Sequence, residues 1–261
     1  MTGKTHELLT LIQTTTQAIL TTNLVGIYLH GSYVLGSYNE NVSDLDYLIV
    51  VKRPLTFETK QALMQATITK LWPLSPAKGL EWHVLLLQDT QHFQQPLPFE
   101  LHFSKQHYAA YCQQPLVYIN RMHGTDPDLA AHLTIIHAAG QVLVGPAINS
   151  VFSPVPATVY WQSLVYDVAD AQAMMLTQPM YTILNLCRVL AYQRQGLILS
   201  KKGGGEWGLK HLPKQYHCLF EQALSAYTAK LTQIQTYPTD LAQIFAKAAV
   251  ASIQIGKGRL S

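Results

Sequence analysis

The chain predicts an α+β protein, with a small mixed-sheet domain over residues 1–150 followed by an all-helical domain over residues 151–261. Three observations carry that expectation. In the first half, short apolar runs bounded by turn residues alternate with helix-spaced segments. From about residue 127 onward, apolar residues recur at helical spacing in segment after segment. Between the two regimes lies GPAINSVFSPVP, residues 145–156, with three prolines and no periodicity, which marks the domain boundary.

The elements follow in order. Residues 6–20 place Leu8, Leu9, Ile12, Ala18 and Ile19 at helical spacing, a first helix. Strands are expected at 24–30 and 45–51. A helix at 56–71 begins at Thr56 and carries Glu58 in its first turn, where a carboxylate suits the positive end of the helix. LEWHVLLL (Leu80–Leu87) reads as a third strand, and the alternation in FELHF (Phe99–Phe103) as a fourth. The polar, proline-bearing segment 88–98 between them is a loop. The helical half then reads DLAAHLTIIHAAG, WQSLVYDVADAQAMML, YTILNLCRVLAYQRQG, QYHCLFEQALSAYTAKL and DLAQIFAKAAVASIQI. Within it, Gly203-Gly204-Gly205 reads as a loop, and Trp207 as a packing residue.

Composition bounds the function. Of 261 residues, 48% are apolar, enough for a well-buried core, and only 13% are charged, about half the usual share. Net charge is +3 without long Lys/Arg runs, so the basic stripe of a nucleic-acid binder is missing. Cys112, Cys187 and Cys218 are odd in number, far apart and outside any C-x-x-C, and read as reduced thiols. The first twenty residues lack a basic region followed by an unbroken apolar stretch, so no signal peptide is read. No apolar run approaches the ~20 residues of a membrane span. A cytoplasmic monomer is expected, with a small-molecule partner and neither nucleic acid nor membrane.

The most informative stretch is HGSYVLGSYNENVSDLDYLIVV, residues 30–51. Residues i and i+2 of a strand project from one face, so Asp44 and Asp46 aim both carboxylates at one spot while Leu45 points into the core. Two hard anionic oxygen ligands side by side suit Mg²⁺ together with nucleotide phosphates. Upstream, Gly31 lets the backbone approach a ligand, and Ser32 offers a hydroxyl and an N–H to phosphate oxygens. Transfer to a hydroxyl also needs a general base, normally a carboxylate. Glu81 is the candidate: it is the acidic residue of a strand that otherwise reads as buried, and a buried Glu is costly unless paired or metal-bound. His83, on the same strand face, is given no role, and Glu100 stays outside the site.

The order strand, Gly-Ser, turn-rich connector, Asp-x-Asp strand resembles the nucleotidyltransferase superfamily related to DNA polymerase β. The resemblance rests on Gly31, Ser32, Asp44 and Asp46. With LEWHVLLL, LVGPAINSVFSPVP and YTILNLCRVLAYQRQGLILSKKGGGEWGLKHLP, nearly the whole chain resembles aminoglycoside adenylyltransferases of the streptomycin/spectinomycin class. That resemblance implies a nucleotidyltransferase domain followed by a helical bundle, with ATP and drug in the cleft between them. It implies Asp44 and Asp46 as magnesium ligands, Ser32 and Ser43 on the ATP phosphates, and Glu81 as the base. It further implies Arg188 and Lys201 as cations for the phosphates and Tyr227 as a nucleotide contact. Arg188 lies in the otherwise apolar ILNLCRVLAY, where an unpaired guanidinium is costly; a phosphate or a salt bridge within the bundle would each satisfy it.

The drug half departs from the family pattern. Gln106 stands where streptomycin-modifying members carry a Trp, and Gln178 or a neighbour where they carry an Asp. Losing an aromatic wall and an acidic group disfavours polycationic streptomycin, so spectinomycin is the expected acceptor. The expected activity is magnesium-dependent O-adenylylation of an aminoglycoside or aminocyclitol by ATP, conferring resistance. The same chemistry on a protein or RNA acceptor, or a non-catalytic nucleotide-binding regulator, are the alternatives.

Overall fold

The computed structural model describes residues 3–228 and 237–255, in two compact units. One comprises residues 1–34 and 40–155; the other comprises 35–39 and 156–261. The short segment Leu35–Asn39, between the Gly-Ser turn and the Asp-x-Asp strand, thus belongs with the helical residues, which its sequence gave no reason to expect.

The first unit is built on a five-stranded mixed sheet. Its strands are β1 (Leu24–Leu29), β2 (Leu45–Val51), β3 (Leu80–Leu86), β5 (Leu101–Phe103) and β7 (Gln141–Val144), in the order β5-β3-β2-β1-β7. A second sheet pairs β4 (Leu97–Phe99) with β6 (Gly124–Asp126). β2 runs parallel to β3 and antiparallel to β1; the other pairs are antiparallel. All seven residues of β2 are buried, as its run LDYLIVV requires of a strand covered on both faces. Tyr28, Leu48, Val50 and Leu85 pack against Leu129, Leu133 and Ile136 of the helix Leu129–Ala139 and against Val151 and Phe152. The connection from β2 to β3 is the helix Phe57–Ala66, capped as expected by Thr56, whose hydroxyl accepts from the Thr59 N–H. It continues through a π turn at Thr67–Leu71.

Three local expectations are corrected here. FELHF is not one strand: the chain changes sheets at Glu100, whose carboxylate accepts from the Leu55 N–H while its own N–H donates to the Val84 carbonyl. The loop expected at 88–98 opens with a helical turn, Leu87–Gln91. The region after 127 is not purely helical, because Gln141–Val144 adds an edge strand beside β1. Four residues at an edge, two of them exposed, bury too little to announce themselves as a strand.

The second unit is helical apart from Leu35–Asn39 and its connections, among the described residues. Its centre is the helix Pro179–Gln195, buried on nearly every side from Thr182 to Ala191. Pro179 supplies the first-turn position that needs no N–H, and Gly196, at φ +67°, supplies the left-handed cap. Around it pack Ala171–Thr177, Lys201–His211, His217–Thr228 and Thr239–Ile255. The loop expected at Gly203–Gly205 is instead part of the helix Lys201–His211, capped by Ser200, whose hydroxyl accepts from the Gly203 N–H at 3.0 Å. The glycines permit helix contact. A Cβ on Gly204 would stand 2.8 Å from the Arg188 backbone N and 2.9 Å from the Leu184 carbonyl oxygen. One on Gly208 would stand 2.9 Å from the Cys187 sulfur. Close approach of two backbones offsets the roughly 1 kcal/mol that each glycine costs a helix.

Candidate active site

The parallel register of β2 and β3 sets Asp46 directly opposite Glu81 and Leu45 opposite Leu80. Asp44, two residues before Asp46, lies just ahead of β2 on the same side. One carboxylate oxygen from each of Asp44, Asp46 and Glu81 falls within a common 4.8 Å. Asp46 is buried, Asp44 is half-buried, and the Glu81 side chain is 31% exposed. Three carboxylates this close repel one another unless a cation sits among them, and oxygen-only ligands fit Mg²⁺.

The Gly-Ser turn presses against this group. The His30 N–H donates to the Asp46 carbonyl at 3.1 Å, which holds the end of β1 beside the start of β2. Gly31 then adopts φ +65°, and a Cβ there would overlap the Asp46 carboxylate itself. Only glycine meets both conditions. Ser32 follows, its Oγ buried and without a hydrogen-bond partner among the described residues. That orphaned hydroxyl suits a phosphate oxygen. Ser43 is buried ahead of Asp44, its carbonyl accepting from the Lys78 N–H. On its other side, Glu81 Oε1 stands 4.0 Å from His102 Nε2.

In the helical unit, the residues singled out from the sequence have partners of their own. Arg188 Nη2 donates to Asn185 Oδ1 at 2.6 Å and to Asp167 Oδ2 at 3.2 Å, the salt bridge within the bundle that its apolar surroundings made one of two expectations. Asn185 donates to the same Asp167 oxygen at 2.8 Å. Lys201 Nζ lies over the Tyr181 ring, 4.3 Å from its centroid. Tyr227 is buried; its hydroxyl donates to the Ser37 carbonyl, and its own carbonyl accepts from Asn39 Nδ2. Gln106 and Gln178 are exposed, the first in the turn Lys105–His107 and the second capping Pro179–Gln195.

Two family profiles divide the chain between them. Residues 17–106 match the nucleotidyltransferase domain, and residues 150–252 match the C-terminal domain of aminoglycoside adenylyltransferase. Over both halves the chain is similar to the aminoglycoside adenylyltransferases. Among its relatives, a spectinomycin 9-adenylyltransferase of Staphylococcus aureus is 27% identical over 212 residues, 78% of each chain. An aminoglycoside (3'') (9) adenylyltransferase of Klebsiella pneumoniae is 26% identical over 215 residues, again 78% of each. The fold is that of the crystal structure of spectinomycin adenyltransferase AAD(9) from Enterococcus faecalis with ATP and spectinomycin. The TM-score is 0.79 at 20% identity, covering 94% of this chain and 99% of that one.

The N-terminal half of the chain brings Gly31, Asp44, Asp46 and Glu81 to one place, with Ser32 next to Gly31 in the turn. What single residues did not reveal is the histidine group beside Glu81. His83 was given no role from the sequence, and only the pairing of β3 with β5 makes it a neighbour of His102.

Proposed function

We propose that this chain is a magnesium-dependent O-adenylyltransferase that moves AMP from ATP to a hydroxyl of an aminocyclitol antibiotic, spectinomycin in preference to streptomycin, and so confers resistance. The observation that carries the reading is the facing pair Asp46–Glu81 with Asp44 beside it, wedged against a turn that tolerates only glycine. Asp44 and Asp46 would hold the metal, which when bound neutralises charge on the triphosphate and the departing pyrophosphate. Ser32 and Ser43 bind phosphate oxygens and fix the α-phosphorus in line with the acceptor. Glu81 takes the proton of the acceptor hydroxyl. That oxygen bonds to the α-phosphorus as the bond to pyrophosphate breaks, leaving an AMP ester on the drug.

Arg188 and Lys201 are the cations we assign to the phosphates. To serve there, Arg188 would exchange Asp167, and Lys201 the Tyr181 ring, for a phosphate oxygen. Tyr227 acts through the Ser37–Asn39 segment that it holds. For the acceptor, neutral Gln106 and Gln178 suit the less charged drug, and the Staphylococcus aureus relatives are named for spectinomycin.

Pyrophosphate release with MgATP over a panel of spectinomycin, streptomycin and other aminoglycosides tests this directly. Spectinomycin should stimulate release; activity confined to streptomycin would overturn the acceptor assignment. Glu81→Gln should still bind MgATP yet turn over at least ~10²-fold more slowly, the usual worth of a general base. Asp46→Asn should abolish transfer.

A further inference from the structure

Beside the carboxylate group, the two sheets bring together a second set of ligand-type side chains that adenylyl transfer does not use. His83 on β3 and His102 on β5 are direct partners in the antiparallel ladder. Their rings stack with centroids 3.8 Å apart and planes within 11°. Directly opposed strand residues are close enough to act as a pair. From the end of β6, Asp126 sets its Oδ2 3.1 Å from His83 Nε2. One ligand atom from each of the three lies within a common 4.8 Å.

The site is built and short of partners. His83 is fully buried, and His83 Nδ1 and His102 Nε2 are buried nitrogens with no hydrogen-bond partner among the described residues. Burial, reinforced by the crowding of imidazoles, keeps His83 and His102 neutral, the form that ligates metals. For Asp126, burial pushes the carboxyl up, but the His83 hydrogen bond and the Asp128 N–H outweigh it and hold the group ionised, at about 2. Further imidazoles surround the three: His132 lies 5.8 Å from His83, His30 4.6 Å from His132, and His107 4.9 Å from His102.

We propose that His83, His102 and Asp126 form a second metal site, which takes a borderline d-block dication of the Zn²⁺ class and is distinct from the magnesium carboxylates. Two imidazoles and one carboxylate are a zinc-type donor set with room for a fourth ligand, whereas Mg²⁺ favours oxygen alone. The two sites therefore select different ions although Glu81 and His102 are neighbours.

The test is titration of the chelator-stripped full chain with Co²⁺, read by its visible d–d absorption. One Co²⁺ per chain should bind, persist in millimolar Mg²⁺ and be displaced by Zn²⁺. His102→Gln and Asp126→Asn should each weaken binding by about 10-fold or more, as loss of a ligand does, while Asp46→Asn should leave the spectrum intact. Equal binding in His102→Gln and Asp126→Asn would place the ion on exposed histidines such as His6, His92 or His123, and would overturn the proposal. A readout free of substitution is the ¹⁵N imidazole spectrum of the unmodified chain. Zn²⁺ must move the nitrogens of buried His83 and half-buried His102, and shifts confined to exposed histidines refute the site.

Discussion

Gly31→Ala separates two effects that glycine substitutions usually mix. Gly31 has φ +65°, a conformation that costs an L-residue about 1–2 kcal/mol. Alanine also restricts the unfolded chain, which returns about 0.4–1 kcal/mol, so backbone strain alone should cost roughly 1 kcal/mol or less. Gly196 supplies the control: its φ is +67°, and a Cβ there meets nothing within 4 Å. Gly196→Ala should therefore lower Tm by no more than about 2–4 °C and leave turnover alone. At Gly31, the added carbon would overlap an Asp46 carboxylate oxygen and stand 2.6 Å from Asp46 Cγ, so the carboxylate must retreat by about an ångström. A misplacement of about 1 Å in a reacting geometry costs on the order of 10²-fold in rate. Pyrophosphate release and thermal melts on the two variants give the comparison. If Gly31→Ala keeps wild-type turnover, or loses no more than Gly196→Ala does, the packing of the turn on Asp46 does not position the metal carboxylates.

Three further outcomes follow from the geometry. Gly204→Ala would gain about 1 kcal/mol of helix propensity on an open surface, but its Cβ must push aside the backbone of Arg188 and Leu184; a fall in Tm of several degrees is expected, and a rise would refute the close helix contact. Arg188→Ala should lower stability by freeing Asp167 and Asn185 and should raise KM for ATP several-fold; a lowered Tm with unchanged KM would confine Arg188 to its salt bridge. His30 is held neutral well below its usual pKa by burial and then by His132 and His83, and His102 is pushed down to about 2 by burial and then by His83 and His107, against the charge of Asp126. Both are neutral when folded and take protons only when unfolded, so stability should be flat above about pH 6.5 and fall below it. The slope is roughly 1.4 kcal/mol per pH unit for each such imidazole. Urea melts of the metal-free chain at pH 7.5 and 5.5 measure it, and His102→Gln should flatten the slope.

The legible parts of the sequence were those where one residue's environment is set by its near neighbours. LDYLIVV was legible as a strand, on which Asp44 and Asp46 had to share a side; that it is covered on both faces came from the structure. Glu81 was legible because a carboxylate in an apolar strand demands a reason. The helical half was legible as a regime but not in detail. Gly203-Gly204-Gly205 spoke locally for a loop, and only the nearby backbone of Leu184 and Arg188 makes glycine the right residue for a helix there. The turn at Glu100, the edge strand at Gln141–Val144 and the meeting of His83 with His102 depend on partners far along the chain, which single-chain periodicity does not encode. Arg188 was legible as a cation in need of a partner, whereas Asp167 as that partner was not.

The contacts of Tyr227 carry a consequence in time. Its hydroxyl meets the Ser37 carbonyl across 190 residues of chain, and Asn39 reaches back to the Tyr227 carbonyl. At a synthesis rate of about 5–20 residues per second, roughly 10–40 s pass on the ribosome between the making of Ser37 and of Tyr227. Until Tyr227 is made, the segment Leu35–Asn39 lacks these two contacts, although every residue of the carboxylate group is made well before then. A nascent or prematurely terminated chain would then carry the chemical groups without their brace. Translation that stops short of Tyr227 should yield a protein that holds the catalytic residues and does not hold them still.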